Sequence, residues 1–373
     1  MSRRWLSAFE SDLPRIVSDL EALVRLESPS DDSPRVSTVA AWVRDRLRER
    51  GVPAELRPCP PRGDAVLASV AYREGGTLLL GHIDTVWPVG TISEMPWRLE
   101  SGRASGPGVF DMKAGVAVAM AVLTAVVRES RESPVSLLLV PDEEVGSRVS
   151  RGLTVSVARR HRQALVLEPS LDGAAKVARK ACGVFEARFR GRAAHAGLEP
   201  EKGASALAEL ARFVEFLEVV AAPSEGTTLT ATLARAGSAS NVVPESAVLT
   251  VDARAWTGGE AQRVTQALAG YRPANGVAVL VEGGFDRPAL EPTPASEGLY
   301  ALARRLAAEV GFELGRAKVG GASDGNFVAA AGVPTLDGLG PRGGGAHARD
   351  EHVLVADLPL RAALLAAIVT EES

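Results

Sequence analysis

Short apolar runs alternate with helical segments along this chain, and this alternation restricts the possible folds more than any other feature. Residues 77–81 (TLLLG), 135–140 (VSLLLV) and 164–167 (ALVL) are brief apolar runs of the kind that forms buried strands. Between the first two runs, residues 113–127 are apolar on nearly every side of a helix, as expected where a helix packs against a sheet. The pattern predicts an α/β fold.

A different pattern occupies the middle of the chain. From about residue 182, apolar and polar residues alternate, with Phe185, Ala187 and Phe189 on one face, which indicates a sheet with one face in water. The elements that follow are a helix near 204–220, strands near 228–235 and 247–254, a helix near 259–270 and a strand near 277–282. This βαββαβ order is typical of a ferredoxin-like unit.

The α/β pattern resumes after this middle segment, so we interpret the segment as an inserted domain. A length of 373 residues is also more than one ordinary core needs. We therefore predict a main domain formed by residues 1–181 and 288–373 and an inserted domain formed by residues 182–287.

Composition argues against several classes of protein. The net charge is −4, aromatic residues make up 5% of the chain and basic residues form no stripe, so no nucleic-acid partner is expected. No apolar window approaches a membrane span, and the N-terminal segment lacks the apolar core of a signal peptide. Cys59 and Cys182 are the only cysteines, too few for a disulfide framework. We predict a cytoplasmic protein that acts on small molecules and has no membrane partner.

Histidines and carboxylates follow the apolar runs or lie in glycine-rich turns. They are His82 and Asp84 after the first run, Asp111 in the glycine-rich residues 106–115, Glu143 and Glu144 after the second run, Glu168 after the third, and His347 after a later glycine-rich segment. Ligands bind at the carboxyl edge of open α/β sheets. We therefore expect these side chains to meet at one edge of the sheet.

Such a cluster needs a cation, because packed carboxylates repel each other and burial disfavours their charged form. Imidazole and carboxylate ligands suit zinc, cobalt or manganese, and dinuclear hydrolases use a carboxylate to bridge two ions. Asp111 is the candidate bridge, and Asp84 can orient the His82 imidazole. Of Glu143 and Glu144, one can coordinate metal while the other takes a proton from the attacking water.

Each of these residues also has a simpler interpretation. His82 alone would fit a strand-end histidine bonded to backbone, and the adjacent glutamates would fit a solvated acidic turn. The joint placement of all the groups favours the metal site. His161 lies in a charged run and is interpreted as an ordinary residue, whereas His352 stays an alternative to His347 as a ligand.

Eight short motifs lie in order between about residues 78 and 352: GHIDTV, GVFDMKAG, PDEEVGS, LEPS, GRAAHAG, SNVVPESAVLTVDAR, GGASDGNF and GGGAHARDE. Together they resemble the M20 family of zinc metallopeptidases, most of all its glutamate carboxypeptidase branch. The resemblance implies a mixed-sheet, dinuclear zinc exopeptidase domain with an inserted ferredoxin-like lid. It also implies two Zn²⁺ ions as cofactors, with Co²⁺ or Mn²⁺ as possible substitutes.

The resemblance further implies roles for individual residues. The ligands would be His82 and Glu168 for one ion, Glu144 and His347 for the other, and Asp111 as the bridge, with Glu143 as the general base and a cis peptide after Asp111. The chain would form a homodimer through the inserted domain, in which His195 would reach the active site of the partner chain and stabilise the oxyanion, assisted by Asn241. Closure of the lid would complete this site.

The activity implied is hydrolysis that releases a C-terminal amino acid, with glutamate favoured, from peptides or from N-acyl or folate-like conjugates. Lys176, Arg254 and Arg287 fall on positions whose basic side chains hold the carboxylates of glutamate in that branch, although Arg254 also occurs in wider branches. Alternatively, these three cations are ordinary solvated surface residues. For the whole chain, the alternatives are an N-acyl amino acid deacylase or dipeptidase of the same family and a non-catalytic metal-binding protein on the same scaffold.

Overall fold

The computed structural model describes residues 2–129, 132–274 and 276–371, and the chain forms two compact units. The first unit comprises Met1–Val177, Pro292–Lys318 and Ser323–Ser373, and the second comprises Ala178–Glu291 and Val319–Ala322. The second unit begins and ends a few residues outside the predicted inserted domain, and it includes a short segment from the later part of the chain. The roles of these units as catalytic domain and lid stay a prediction.

The described residues form the following strands and α-helices. The strands are β1 Ala54–Pro58, β2 Asp64–Val70, β3 Gly76–His82, β4 Arg98–Glu100, β5 Arg103–Ser105, β6 Val135–Val140, β7 His161–Val166, β8 Ala175–Arg179, β9 Ala181–Arg190, β10 Thr228–Ala236, β11 Ser246–Ala255, β12 Ala278–Arg287, β13 Arg316–Val319, β14 Thr335–Leu336, β15 Gly343–Gly344 and β16 His352–Leu354. The helices are α1 Ser2–Arg25, α2 Ser33–Glu49, α3 Thr91–Glu94, α4 Ala114–Glu129, α5 Arg151–Ala158, α6 Ala206–Val220, α7 Gly258–Ala269, α8 Pro294–Val310, α9 Gly325–Ala330 and α10 Asp357–Glu371.

A six-stranded mixed sheet with strand order β1-β2-β6-β3-β7-β14 organises the first unit. β3 pairs parallel with β6 and β7, and β14 pairs parallel with β7, whereas β2 is antiparallel to both β1 and β6. Every residue of β3 and β6 is buried, which explains why these strands are continuous apolar runs. The predicted α/β class and mixed sheet are confirmed.

Helix α4 lies in the core of the first unit. A Cβ atom at Gly115 would lie 2.3 Å from the carbonyl oxygen of Leu167, so glycine is needed for this close approach. The segment Val109–Glu129 is long and apolar enough to cross a membrane, and 94% of its most apolar stretch is buried inside the protein. The expectation that no window approaches a membrane span is therefore wrong, and packing in the core accounts for the apolar composition of this helix.

The second unit contains an antiparallel sheet with strand order β10-β11-β9-β12. Helices α6 and α7 complete the βαββαβ order that the sequence indicates. Phe185 and Phe189 of β9 are buried in a core that includes Phe213 of α6, whereas Val184 is 54% exposed. The alternation along β9 therefore separates a core face from an exposed face.

Candidate metal centre

Three adjacent strands bring the predicted side chains to one edge of the sheet. His82 is the last residue of β3, Glu143 and Glu144 lie in the turn after β6, and Glu168 follows β7. Because β6, β3 and β7 are parallel neighbours, their carboxyl ends meet at the same edge. Sequence positions that are far apart therefore supply one site in the first unit.

Asp111 directs one carboxylate oxygen toward each of two histidines. Nε2 of His82 lies 3.2 Å from Oδ1 of Asp111, and Nε2 of His347 lies 3.5 Å from Oδ2. The peptide bond between Asp111 and Met112 is cis, and His347 has a positive φ of 60°. Two oxygens of one carboxylate facing two imidazoles is the arrangement expected of a bridging ligand.

A glutamate accompanies each histidine. Nε2 of His347 lies 3.3 Å from Oε2 of Glu144, and Nε2 of His82 lies 3.7 Å from Oε1 of Glu168. Glu168 is buried, whereas the side chain of His347 is 51% exposed. The His347 side of the site is therefore the more accessible one.

The donor set fits metal ions. Potential ligand atoms of His82, Asp111 and Glu144 lie within 4.8 Å of one another, as do those of His82, Glu143 and Glu168. Oε1 of Glu144 is also buried without a hydrogen-bond partner in the described structure, which is costly unless a cation neutralises it. Nitrogen and oxygen donors in this combination suit zinc, cobalt or manganese.

The charged groups of the site shift each other's pKa values. Burial alone would raise the pKa of Asp111, but hydrogen bonds with His347 and His82 outweigh it and lower that pKa. Hydrogen bonds with Asp111 and then Glu144 raise the pKa of His347 to about 10. Burial raises the pKa of Glu144. In the metal-free protein, a protonated imidazole therefore supplies part of the positive charge that the carboxylates need.

Metal affinity is expected to depend on pH for this reason. A metal ion binds neutral imidazole, so it must displace the proton that His347 holds up to a pKa of about 10. The apparent affinity for Co²⁺, measured by competition with a chelating dye, should rise roughly tenfold or more per pH unit between about pH 7 and 9. The variant His347→Gln should show a shallower slope, and an affinity independent of pH would contradict the prediction.

Asp84 supports both His82 and the glutamate turn. Its carboxylate accepts hydrogen bonds from the backbone N–H groups of Glu143 (3.1 Å) and Glu144 (3.2 Å) and from the hydroxyl of Ser30 (2.7 Å). Nδ1 of His82 lies 3.0 Å from the backbone oxygen of Asp84 and 3.4 Å from Oδ1. These contacts leave Nε2 of His82 facing the candidate ligands.

Sequence reasoning missed two buried residues beside the site. Ser30 is separated from Asp84 by 54 positions, and no local pattern links them. Lys113 is buried, its Nζ donates to the backbone oxygen of Leu26 at 2.9 Å, and burial lowers its pKa to about 8. A lysine at the start of an otherwise apolar helix was the available signal for Lys113.

His195 and Asn241 are neighbours within the second unit. His195 pairs with Val242 in an isolated antiparallel β-bridge. The N–H of Ala196 donates to the backbone oxygen of Asn241 at 2.9 Å. Nδ1 of the exposed His195 accepts hydrogen bonds from the N–H groups of Gly197 (3.1 Å) and Leu198 (3.2 Å). An accepting Nδ1 places the proton of the neutral ring on Nε2.

Two of the three predicted substrate-binding cations flank Cys182. Arg254 of β11 and Arg287 of β12 pair directly with Cys182 of β9 from either side. Nε and Nη2 of Arg254 each donate to Asp252 at 2.8 Å, and Nη1 contacts Sγ of Cys182 at 2.5 Å. Lys176 belongs to the first unit, where its backbone pairs with Asp337.

His161 and His352 lie outside the two groups of potential ligands in the described part of the chain, as does His347, so distances to Asp111 and Glu144 are what place His347 at the site. His161 is buried at the start of β7, and its Nδ1 lies 2.9 Å from the backbone oxygen of Val157. Nδ1 of His352 lies 2.8 Å from the backbone oxygen of Asp350. His347, rather than His352, faces Asp111.

The chain is similar to known peptidases and deacetylases. Residues 78–371 match the model of "Peptidase family M20/M25/M40". Carboxypeptidase G2 of Pseudomonas sp. (strain RS-16) is 29% identical over 98% of this chain and 91% of its own length. Acetylornithine deacetylase of Myxococcus xanthus is 28% identical over 69% of this chain and 71% of its own.

A solved structure shares the fold. The Bacillus subtilis YXEP protein, described as a dinuclear metal binding peptidase from the M20 family, superposes with a TM-score of 0.70 at 15% identity and covers 96% of this chain and 98% of its own. The family match spans most of the chain, and it includes the strands and turns that carry His82, Asp111, Glu144 and Glu168. The chain therefore belongs to peptidase family M20/M25/M40 and is a hydrolytic enzyme of that family.

Proposed function

We propose that this enzyme hydrolyses an amide bond to release a C-terminal amino acid, with glutamate favoured, from peptides or from N-acyl or folate-like conjugates. The observation that carries the proposal is the pair of imidazoles on the two oxygens of Asp111, with Glu143 close to His82 and Glu168. This arrangement combines metal ligands with a carboxylate that can transfer a proton.

We assign two divalent ions, Zn²⁺ first and Co²⁺ or Mn²⁺ as alternatives, to this site. His82 and Glu168 would hold one ion, Glu144 and His347 would hold the other, and Asp111 would bridge them. When bound, such ions polarise a carbonyl group and lower the pKa of water. Asp84 would position His82 and the glutamate turn through the hydrogen bonds of its carboxylate.

Glu143 would act as the general base and then as the general acid. Its backbone N–H is held by Asp84, and its side chain is buried beside the candidate ligands. The carboxylate would take a proton from the attacking water and deliver it to the leaving nitrogen. One buried group can perform both transfers, because the proton it gains in the first step is the one it donates in the second.

His195 and Asn241 would stabilise the oxyanion from the inserted domain. The proton on Nε2 of His195 is available for donation, since two backbone N–H groups occupy Nδ1. As the family resemblance implies, this histidine would act on the active site of the partner chain in a homodimer. Solution mass tests this arrangement, and a strict monomer with full activity would contradict it.

Arg254, Arg287 and Lys176 would hold the carboxylates of the released amino acid. Two arginines on either side of Cys182 offer several N–H donors in one small region of the sheet. Nε and Nη2 of Arg254 already donate to Asp252, and Nη1 contacts Sγ of Cys182, so Arg254 would exchange one of these contacts for a substrate carboxylate. Because Arg254 also occurs in wider branches of the family, Lys176 and Arg287 carry the predicted selectivity for glutamate.

Amino acid release from matched conjugates tests this assignment. The zinc- or cobalt-loaded enzyme should prefer conjugates that end in glutamate over those that end in alanine or leucine. Arg287→Ala should raise KM for the glutamate conjugate by about ten- to hundredfold, as expected for a charged hydrogen bond, and leave the leucine conjugate unchanged. Arg188→Ala, at an exposed arginine of β9, is the matched control.

Equal or better cleavage of the neutral conjugates would replace the glutamate assignment by a second candidate function. That function is an N-acyl amino acid deacylase or dipeptidase, and the similarity to acetylornithine deacetylase over most of the chain favours it. Both candidates use the same metal residues.

We also keep the cytoplasm as the predicted compartment, because Cys59 and Cys182 are both free thiols, which suits a reducing environment.

A further inference from the structure

Glu351 is a buried carboxylate that holds the turn leading to Asp111. Its Oε1 accepts hydrogen bonds from the backbone N–H groups of Phe110 (2.9 Å) and Asp111 (3.0 Å). Its Oε2 accepts from the N–H of Gly108 (2.8 Å) and from Nε1 of Trp87 (2.8 Å). Only 1% of Glu351 is exposed, so these four donors take the place of water.

The turn from Gly106 to Asp111 depends on this carboxylate for its backbone hydrogen bonds. It contains positive φ angles at Gly106 and Gly108, so its N–H groups cannot follow a regular helix or strand ladder. A Cβ atom at Gly108 would lie 2.6 Å from Cγ2 of Thr85, which shows how closely the turn packs. Without Glu351, three N–H groups would be left without their side-chain acceptor in a buried place.

Glu351 also connects this turn to the segment that carries the second histidine. It lies four positions after His347, and the residue that follows it, His352, begins β16, which pairs with β5. The N–H of Glu351 donates to the backbone oxygen of Ala348 at 3.1 Å, so its own position is tied to the loop of His347. One residue thereby joins the loop of His347 to the turn of Asp111.

We propose that Glu351 is a positioning residue that sets the distance between Asp111 and His347 and so determines the affinity of the site for its metal pair. The inference rests on the metal assignment of the proposed function. Glu351 itself is not a ligand, because both of its oxygens are occupied by N–H donors. Its effect reaches the metal through the backbone of the Asp111 turn.

The variant Glu351→Gln tests the proposal with little change in shape. In glutamine, an NH₂ group replaces one of the two carboxylate oxygens, and each of these oxygens accepts hydrogen bonds from two N–H groups. Because NH₂ cannot accept, the variant loses two of the four hydrogen bonds. Co²⁺ affinity, measured by dye competition, should fall by about 10- to 100-fold, as is typical when a group that supports a metal ligand is removed. Thermal unfolding and circular dichroism of the metal-free variant report whether it folds.

Glu209→Gln is the matched control. Glu209 is fully buried in the second unit and accepts hydrogen bonds from the hydroxyl of Tyr271 (2.7 Å) and the N–H of Ala274 (3.1 Å). It should lose stability and keep the Co²⁺ affinity of the wild type. Weaker binding in Glu351→Gln alone supports the proposal, whereas equal weakening in both variants would overturn it, because a general loss of stability would then explain both.

Three further outcomes are decisive. A folded Glu351→Gln that binds two ions as tightly as the wild type overturns this inference alone. A wild type that binds fewer than two ions overturns the metal assignment and this inference with it. If Glu351→Gln does not fold, hydrogen exchange of the metal-free wild type decides: slow exchange at Phe110 and Asp111 supports the proposal, and exchange as fast as in exposed turns overturns it.

Discussion

Replacing Asp111 with alanine is expected to lower turnover by at least about a thousandfold, because metal ions contribute several kcal/mol to stabilising the transition state. The two oxygens of Asp111 face His82 and His347 separately, so its loss affects both proposed ion sites. The loaded variant should therefore hold fewer than two ions per chain by elemental analysis. In contrast, His347→Ala should chiefly weaken the binding of the ion that is assigned to Glu144 and His347.

Asp45→Ala is a suitable control for this experiment. Asp45 is an exposed aspartate of α2 that pairs with Arg44, and its removal should change neither the metal content nor the rate. If Asp111→Ala retained two ions and turned over substrate at a rate near that of the wild type, the bridging role would be wrong. Circular dichroism should show that the variant is folded, since loss of the fold would also remove the metal.

Replacing Glu143 with alanine should lower kcat by at least roughly a hundredfold while both ions stay bound, because a positioned acid–base group typically contributes that much. Glu143 is adjacent to Glu144, whose Oε2 lies 3.3 Å from Nε2 of His347. Kinetics with a glutamate conjugate and elemental analysis of the same sample measure the two properties together. A near-normal rate would remove Glu143 from the mechanism.

The neighbouring glutamate provides the contrast. Glu144→Ala should lose metal and activity together, whereas Glu143→Ala should lose activity alone. Both residues lie in the same turn, and both backbone N–H groups are held by Asp84, so the backbone support of the two positions is alike. Loss of metal in both variants would mean that Glu143 is a ligand rather than the base.

Much of the candidate site could be predicted because it depends on strand order along the chain. His82, Glu144 and Glu168 follow continuous apolar runs, and such runs become parallel strands whose carboxyl ends share one edge. The same logic predicts the βαββαβ unit, since strict alternation marks strands with one exposed face. These features are local in sequence, so a pattern of a few residues is sufficient to detect them.

Other parts of the site depend on contacts between distant residues. The hydroxyl of Ser30 donates a hydrogen bond to Asp84, and the backbone N–H of Phe110 donates one to Glu351, which is 241 positions away. The packing of distant segments brings these groups together. From the sequence, Glu351 is indistinguishable from an ordinary acidic residue in a charged loop. A carboxylate that accepts hydrogen bonds from backbone N–H groups has no local sequence pattern. The apolar helix α4 is a related case, since only its burial distinguishes it from a membrane span.

The sequence by itself therefore determined the α/β class, the βαββαβ order of the middle segment and the placement of histidine and carboxylates after β3, β6 and β7, because periodicity and chain order are properties of short segments. Only the tertiary structure decided which oxygen of Asp111 faces which histidine and which buried carboxylates hold the turns in place. The reason is physical: a hydrogen bond or ligand contact requires atoms within a few ångströms, and packing of distant segments sets those distances.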